Sequence, residues 1–306
     1  MSTPLLKYLG IACAIISSVL SSLAWVYQGE AVKHLGPFAT VSGLGLISSA
    51  ILFLYLVAAK KLPTFEQLWS NRKDLLIVTI IRPLLGSILF NLALLQTSGI
   101  KLMFFTKLEP YFVLFLAWIF ERTLVNRRQI VLLAVHICGA VILSTNGEFS
   151  LGQTQLGDLL VIGTVLMMSF AYAPSTRLVK SMNPLGANFV TLFTAGVISL
   201  PLAIIYTPTP ILELPSAGWH NLFIALLMFQ VIGLTLWFVA LKFMQGWIVS
   251  ALRAVGPVIA APFAFLFFGQ SLSCFQVGGA VLVLATSALI AREHVSQKTK
   301  VPSSEE

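Results

Sequence analysis

Apolar residues in this chain run in long blocks separated by short polar joints, with neither the facial period of a soluble amphipathic helix nor the alternation of a strand. A hydrocarbon core of about 30 Å needs roughly 17–25 helical residues. Ten such blocks follow one another: Tyr8–Val26, Phe38–Ala58, Leu75–Leu95, Ile100–Phe120, Arg128–Thr145, Asp158–Leu178, Leu185–Tyr206, His220–Leu241, Trp247–Phe268 and Ser273–Ala291. The pattern predicts an all-α, polytopic membrane protein of ten transmembrane helices. Its joints leave no room for a soluble catalytic domain, and residues 293–306 read as a disordered cytoplasmic tail.

Composition agrees: 58% of residues are hydrophobic, 10% are charged and the mean hydropathy is +0.93. The net charge of +8 would suit nucleic acid if it formed a patch, but its placement follows the spans instead. With a cytoplasmic N-terminus, Lys7, Lys60, Lys61, Arg72, Lys73, Arg122, Arg127, Arg128, Arg177, Lys180, Lys242 and Arg292 all fall on the cytoplasmic side, and Lys33 falls outside. Basic loops resist export during insertion, so both termini are expected in the cytoplasm, and the basicity records topology rather than nucleic-acid binding. Short loops and a basic inner face point to a bacterial plasma (inner) membrane. Cys13, Cys138 and Cys274 fall within spans without metal or redox spacing and read as small buried apolar residues.

Shifting the sequence by 147 positions aligns it with itself. The shift superposes Leu9-Gly10 on Leu156-Gly157, Ala24-Trp25 on Ala171-Tyr172, Pro37 on Pro184, Gly86 on Gly233, Gly99 on Gly246 and Pro110 on Pro257. Leucine matches arise easily between apolar segments, whereas matched glycines and prolines do not. The first five-helix repeat is assigned to residues 1–146 and the second to 147–292. Five spans per unit is an odd number, so the second copy enters the membrane from the opposite face and the repeat is inverted. A signal-peptide reading of the first span, offered by Lys7 and Ser22-Leu23-Ala24, is rejected because the second copy carries the same element mid-chain. Inverted repeats let two near-equivalent units exchange conformations around a midplane site, which is the basis of alternating access.

The five-plus-five arrangement, Trp25 in the first span, and the motifs Leu108-Glu109-Pro110 leading to Phe120-Glu121 and Val255-Gly256-Pro257 leading to Phe268-Gly269-Gln270 together resemble the drug/metabolite transporter superfamily, in its EamA branch of ten-span exporters and permeases. The likeness covers residues 1–291, although Gln270 stands where the family has a second acidic residue and Glu121 comes two residues early. It implies export of a small solute. Related phosphate translocators resemble this chain in using basic residues on the fourth and ninth spans, where Lys107 and Arg253 stand.

A charge at mid-membrane costs at least about 2.5–3.5 kcal/mol on insertion scales and therefore faces protein or a wet cavity. Arg82, Lys101, Lys107, Arg253 and Glu109 lie within spans, and Lys101 is near enough to an end to snorkel. Arg82 is followed by Gly86 and Ala93 on roughly its own face, leaving either a cavity wall or a pairing with helix ends open. Arg253 and Glu109 occupy repeat-equivalent faces about one turn apart and are candidates for an ion pair, either switching or structural; Lys107 lies on another face. Pro110 and Pro257 remove hydrogen bonds to the carbonyls of Thr106 and Arg253 and are candidate hinges. Trp25 and Tyr172, near the ends of their spans, are either gates or interfacial anchors. His136 in the fifth span fits hydrogen-bonded packing better than a proton relay.

No metal-binding, nucleophile-elbow or phosphate-loop motif is present, and no intramembrane carboxylate pair. The chain is therefore expected to be no enzyme and to need no cofactor or metal, its work coupled to a proton gradient or a counter-substrate. The excess of intramembrane basic residues points to a small-molecule solute bearing a carboxylate, such as an amino acid. The alternatives are a phosphorylated-metabolite exchanger, multidrug efflux of organic cations, and a passive channel. Apart from the lipid bilayer no partner is implied, and the assembly is expected to be a monomer or homodimer.

Overall fold

The computed structural model describes residues 3–96, 106, 108–122, 126–145, 156–207, 213, 215–256, 258–259 and 273–297, and among them every regular element is helical. The helices are α1 (Thr3–Leu35), α2 (Pro37–Ala58), α3 (Phe65–Ser70), α4 (Arg72–Thr79), α5 (Ser87–Gln96), α6 (Glu109–Glu121), α7 (Arg127–Thr145), α8 (Leu156–Ser169), α9 (Tyr172–Ser181), α10 (Pro184–Tyr206), α11 (Ser216–Ala225), α12 (Leu234–Phe243), α13 (Gly246–Arg253) and α14 (Cys274–Gln297). Among the described residues, six helical stretches are long and apolar enough to cross a membrane, with a shorter apolar helix at Glu109–Phe120. Parts of the predicted fourth and ninth spans lie outside the described residues.

Several boundaries follow directly from sequence. Pro37 and Pro184 open α2 and α10 in the first helical turn, where a missing N–H costs nothing. Asn183 caps α10 by accepting from the Gly186 amide at 2.6 Å. Other boundaries differ from expectation. Helix α1 runs on to Leu35 because nothing breaks it before Gly36, whose φ of 77° ends it. Trp25 consequently lies well inside a 33-residue helix rather than near its end. The sixth span is interrupted at Phe170-Ala171, between α8 and α9, since Pro174 cannot donate to the carbonyl of Phe170 four residues back.

Helices α4 and α5 are joined by a π-helical segment, Ile80–Gly86, and α11 and α12 by another, Leu226–Gly233. The segments end at Gly86 and Gly233, which the 147-residue shift superposes. A β-carbon on Gly86 would lie 2.6 Å from the carbonyl oxygen of Ile81, and one on Gly233 would lie 3.0 Å from that of Met228. In both, the wide π turn brings the carbonyl five residues back against the glycine.

Packing follows the same shift. The closest pairings are α2 with α10, α7 with α14, α6 with α13, α1 with the α11–α12 span, and α5 with α8. Under the shift α2 with α10 and α7 with α14 each map onto themselves, and α1 with the α11–α12 span maps onto the pairing of α5 with α8; the counterpart of α6 with α13 lies outside the described residues. Helices α2 and α10 touch backbone to backbone at Gly45 and Gly196, the close approach that small residues permit between helices in lipid. At one end of the bundle Arg177 forks onto Asp74 at 2.6 and 2.9 Å, Asn183 donates to the carbonyl of Lys61 and Ser181 to Asn71. These contacts gather Lys60, Lys61, Arg72, Lys73, Arg177 and Lys180 at one face. Arg128 pairs with Glu293 at 2.6 Å where α7 meets α14.

Cys13 is buried, but Cys138 and Cys274 are exposed on the outside of the bundle, contrary to the expectation of burial. Lipid is as apolar as a protein core, so hydrophobicity alone does not separate the two surroundings.

Candidate functional site

Helix α1 presents Ser18, Ser21, Ser22, Trp25 and Gln28 on one face, spaced by three or four residues for the most part. Ser21 and Ser22 each donate to the carbonyl of Ser18 at 2.9 Å, which satisfies their hydroxyls where water is scarce. Ser18 donates to the main-chain carbonyl of Arg253, the group expected to be freed by Pro257. The contact is close: a β-carbon on Gly256 would fall 2.5 Å from the Ser18 carbonyl oxygen. The two halves of the chain thus meet here backbone to backbone.

Across from this face is a partly open cavity lined from both halves of the chain. Its charged wall holds Arg82, from the π segment, with Glu109 at the start of α6 and Arg253 at the end of α13. Glu109 stands between the arginines: Arg82 Nη1 is 3.9 Å from its Oε1, and Arg253 Nη1 is 3.6 Å from its Oε2. Ser250 Oγ donates to Oε2 at 3.2 Å. The rest of the lining is largely apolar and includes Phe90, Val165, Met168, Phe229 and Leu234, with Trp25 set 5.2 Å from Phe90.

Two aromatics hold Arg82 in place. Its guanidinium carbon lies 4.0 Å from the Trp237 ring centre and 5.8 Å from that of Tyr172, and the two rings meet edge to face. A desolvated cation over an indole face gains about 2 kcal/mol, which offsets part of the cost of burying the charge. Donors nevertheless outnumber acceptors. Arg82 Nη1, Arg253 Nε and Trp237 Nε1 are buried without a hydrogen-bond partner, on side chains whose residues are 7% exposed or less. Leaving such groups unmet costs on the order of 1–3 kcal/mol each, so the charged wall is disposed to take an acceptor from a ligand.

Of the residues singled out from sequence, Arg82, Glu109, Arg253, Trp25 and Pro110 line the cavity. Tyr172 stands behind Arg82 and is 2% exposed, which is incompatible with an interfacial anchor. Pro110 occupies the first turn of α6, where proline fits without a kink. Lys101, Lys107, Pro257 and Gln270 lie outside the described residues. His136 is away from the cavity, its Nδ1 2.9 Å from Thr286 Oγ1 between α7 and α14.

Sequence reasoning missed the serine face of α1, although its helical spacing was visible. It also missed Ser250, Trp237, Pro83 in the π segment, and the buried amide pair in which Gln28 donates to Asn91 at 2.7 Å and Asn91 to the Pro37 carbonyl at 3.2 Å.

A profile of the EamA-like transporter family matches residues 8–145 and, a second time, residues 155–292. The two matches are offset by 147 residues at both ends, the shift that aligns the sequence with itself. The chain is similar to the uncharacterized transporter YyaM of Bacillus subtilis (strain 168), with 21% identity over 285 residues, 91% of this chain and 92% of YyaM. A solved crystal structure of another protein superposes with a TM-score of 0.72 at 15% identity, covering 95% of this chain and 99% of that one, a likeness of fold.

Proposed function

We propose, on the premise that the chain belongs to the EamA-like transporter family and is a membrane transporter, that it exports a small carboxylate-bearing metabolite such as an amino acid by alternating access. The observation that carries this reading is the charged wall: two buried arginines face one glutamate, with unmet donors on both guanidiniums. A substrate carboxylate supplies the missing acceptors in charge-assisted, forked geometry. A substrate ammonium finds its partner in Glu109, and the apolar wall takes the remainder. Organic cations fit poorly where two positive charges outnumber one negative. A phosphorylated metabolite is the second reading, favoured by the paired arginines and opposed by Glu109.

Alternation is assigned to two inverted five-helix units, residues 1–146 and 147–292, with 293–306 as a tail. Support comes from the self-mapping of the closest helix pairings other than α6 with α13 and from the matched π segments that contribute to the cavity lining, since π segments inside helices frequently mark functional sites. Basic residues at one end of the bundle support an inner-membrane location with both termini cytoplasmic. Energy comes from a proton gradient or a counter-substrate.

The test is uptake into proteoliposomes with radiolabelled amino acids, phosphorylated sugars and organic cations, with and without substrate on the opposite side. Saturable, trans-stimulated amino-acid flux is expected, and flux confined to organic cations overturns the reading. In the same assay Glu109→Gln lowers flux of the zwitterion roughly 10- to 100-fold, the worth of one charged hydrogen bond, while the deaminated carboxylate is bound at least as well as in wild type. Unchanged discrimination between the two would remove Glu109 from substrate contact.

A further inference from the structure

The connection between α2 and α4 presents a surface that transport through the cavity does not use. Lys60 closes α2 in a left-handed conformation, φ 53°, that ordinarily favours glycine. Thr64 then opens α3 with a reciprocal cap: its hydroxyl accepts from the Gln67 amide at 3.3 Å, and Gln67 Oε1 accepts from the Thr64 amide at 3.2 Å. One turn apart on this short helix, Phe65 and Trp69 stack with ring centres 6.2 Å apart, and they are 78% and 61% exposed. Leu62 beside them is also exposed. The Arg72 guanidinium lies 4.6 Å from the Trp69 ring centre, and its Nη1 donates to the Trp69 carbonyl at 2.8 Å.

This surface is held firmly from behind. Pro63 packs on Gly186, Asn183 donates to the Lys61 carbonyl, Asn71 accepts from Ser181, and Leu68 packs against the core. Its outward charges are Lys60, Lys61, Arg72 and Lys73 against Glu66, all exposed, because Asp74 is engaged by Arg177. A pair of stacked aromatics ringed by cations, at the level where two spans leave the hydrocarbon, complements the boundary between acyl chains and anionic headgroups.

We propose that residues 60–73 form a binding site for anionic phospholipid, in which Leu62, Phe65 and Trp69 enter the acyl boundary while Lys60, Lys61, Arg72 and Lys73 hold the phosphate-bearing headgroups. The site is independent of the cavity and of what passes through it. The left-handed backbone at Lys60 fits this role, since glycine there would relax the turn and forfeit a cation.

The full chain is reconstituted in phosphatidylcholine vesicles doped with an equal small mole fraction of brominated phosphatidylglycerol or brominated phosphatidylcholine. The Trp69 signal is isolated as the difference from Trp69→Phe. Bromine on the anionic lipid is expected to quench Trp69 as if that lipid were locally enriched on the order of fivefold or more, the scale set by even one basic residue at an anionic surface. Combined replacement of Lys60, Lys61, Arg72 and Lys73 by glutamine brings the two lipids to equal quenching, with the other tryptophans quenched as in wild type to certify the fold. Equal quenching by both lipids in the wild type overturns the headgroup assignment. Quenching by neither overturns the site altogether and leaves the aromatic pair to water or a protein partner.

Discussion

Arg253→Gln abolishes carboxylate transport, by about 100-fold or more, in a protein that remains folded. Removing an arginine from its charge-assisted pairing with a bound carboxylate costs roughly 2–5 kcal/mol, and each 1.4 kcal/mol is about a factor of ten. Glutamine leaves Glu109 with Arg82 alone, 3.9 Å away, so the wall becomes neutral and loses its surplus of donors. The fold is spared because α13 is anchored to α1 through the main-chain carbonyl of residue 253, which Ser18 still reaches. Flux per mole of folded protein, read beside the melting temperature, separates the two effects. Wild-type flux from a well-folded variant would take Arg253 out of the mechanism.

Gly45→Ala has its effect on the fold instead. The added β-carbon would fall 2.7 Å from Gly196 Cα and 2.8 Å from both Gly196 N and the Leu192 carbonyl oxygen. All three are backbone atoms, which no rotamer change moves aside, so α2 and α10 must separate along the most extensive contact in the bundle. Overpacking of this kind costs about 1–3 kcal/mol, and valine at the same place costs more. Gly163→Ala is the control: nothing lies within 4 Å of its β-carbon, and alanine in a helix is favoured over glycine by roughly 0.5–1 kcal/mol. The melting temperature in detergent is expected to fall for Gly45→Ala and to hold or rise for Gly163→Ala. Equal values would mean that the crossing is not the close contact described.

The parts of this protein most legible in sequence are those where a residue is costly unless its surroundings are special. Pro37 and Pro184, matched by the 147-residue shift, proved to open helices, and Gly86 and Gly233, matched likewise, proved to end the π segments, whose geometry the match did not reveal. Arg82, Glu109 and Arg253 stood out because charges rarely enter a span without a purpose, and the cavity wall gathers all three. Trp237 could not be picked out, because an indole looks the same in a lipid-facing stripe as above a guanidinium. Cys138 and Cys274 were misplaced for the same reason. Of the two readings open for Tyr172, gate or interfacial anchor, its burial beside Arg82 removes the anchor, which position along the span alone could not do because the break at Phe170-Ala171 is not visible in its apolar pattern.

Alternating access requires that the cavity be the solute path and open to the two faces in turn. With Cys13, Cys138 and Cys274 replaced, a single thiol is introduced by Ser87→Cys, a nearly isosteric change at a partly buried position on the cavity wall. Its reaction with a membrane-impermeant maleimide is then followed in right-side-out and everted vesicles. The predicted result is labelling from either face, slowed from both by the transported carboxylate and unaffected by an organic cation. A thiol that reacts from one face only, or at a rate indifferent to substrate, would contradict it.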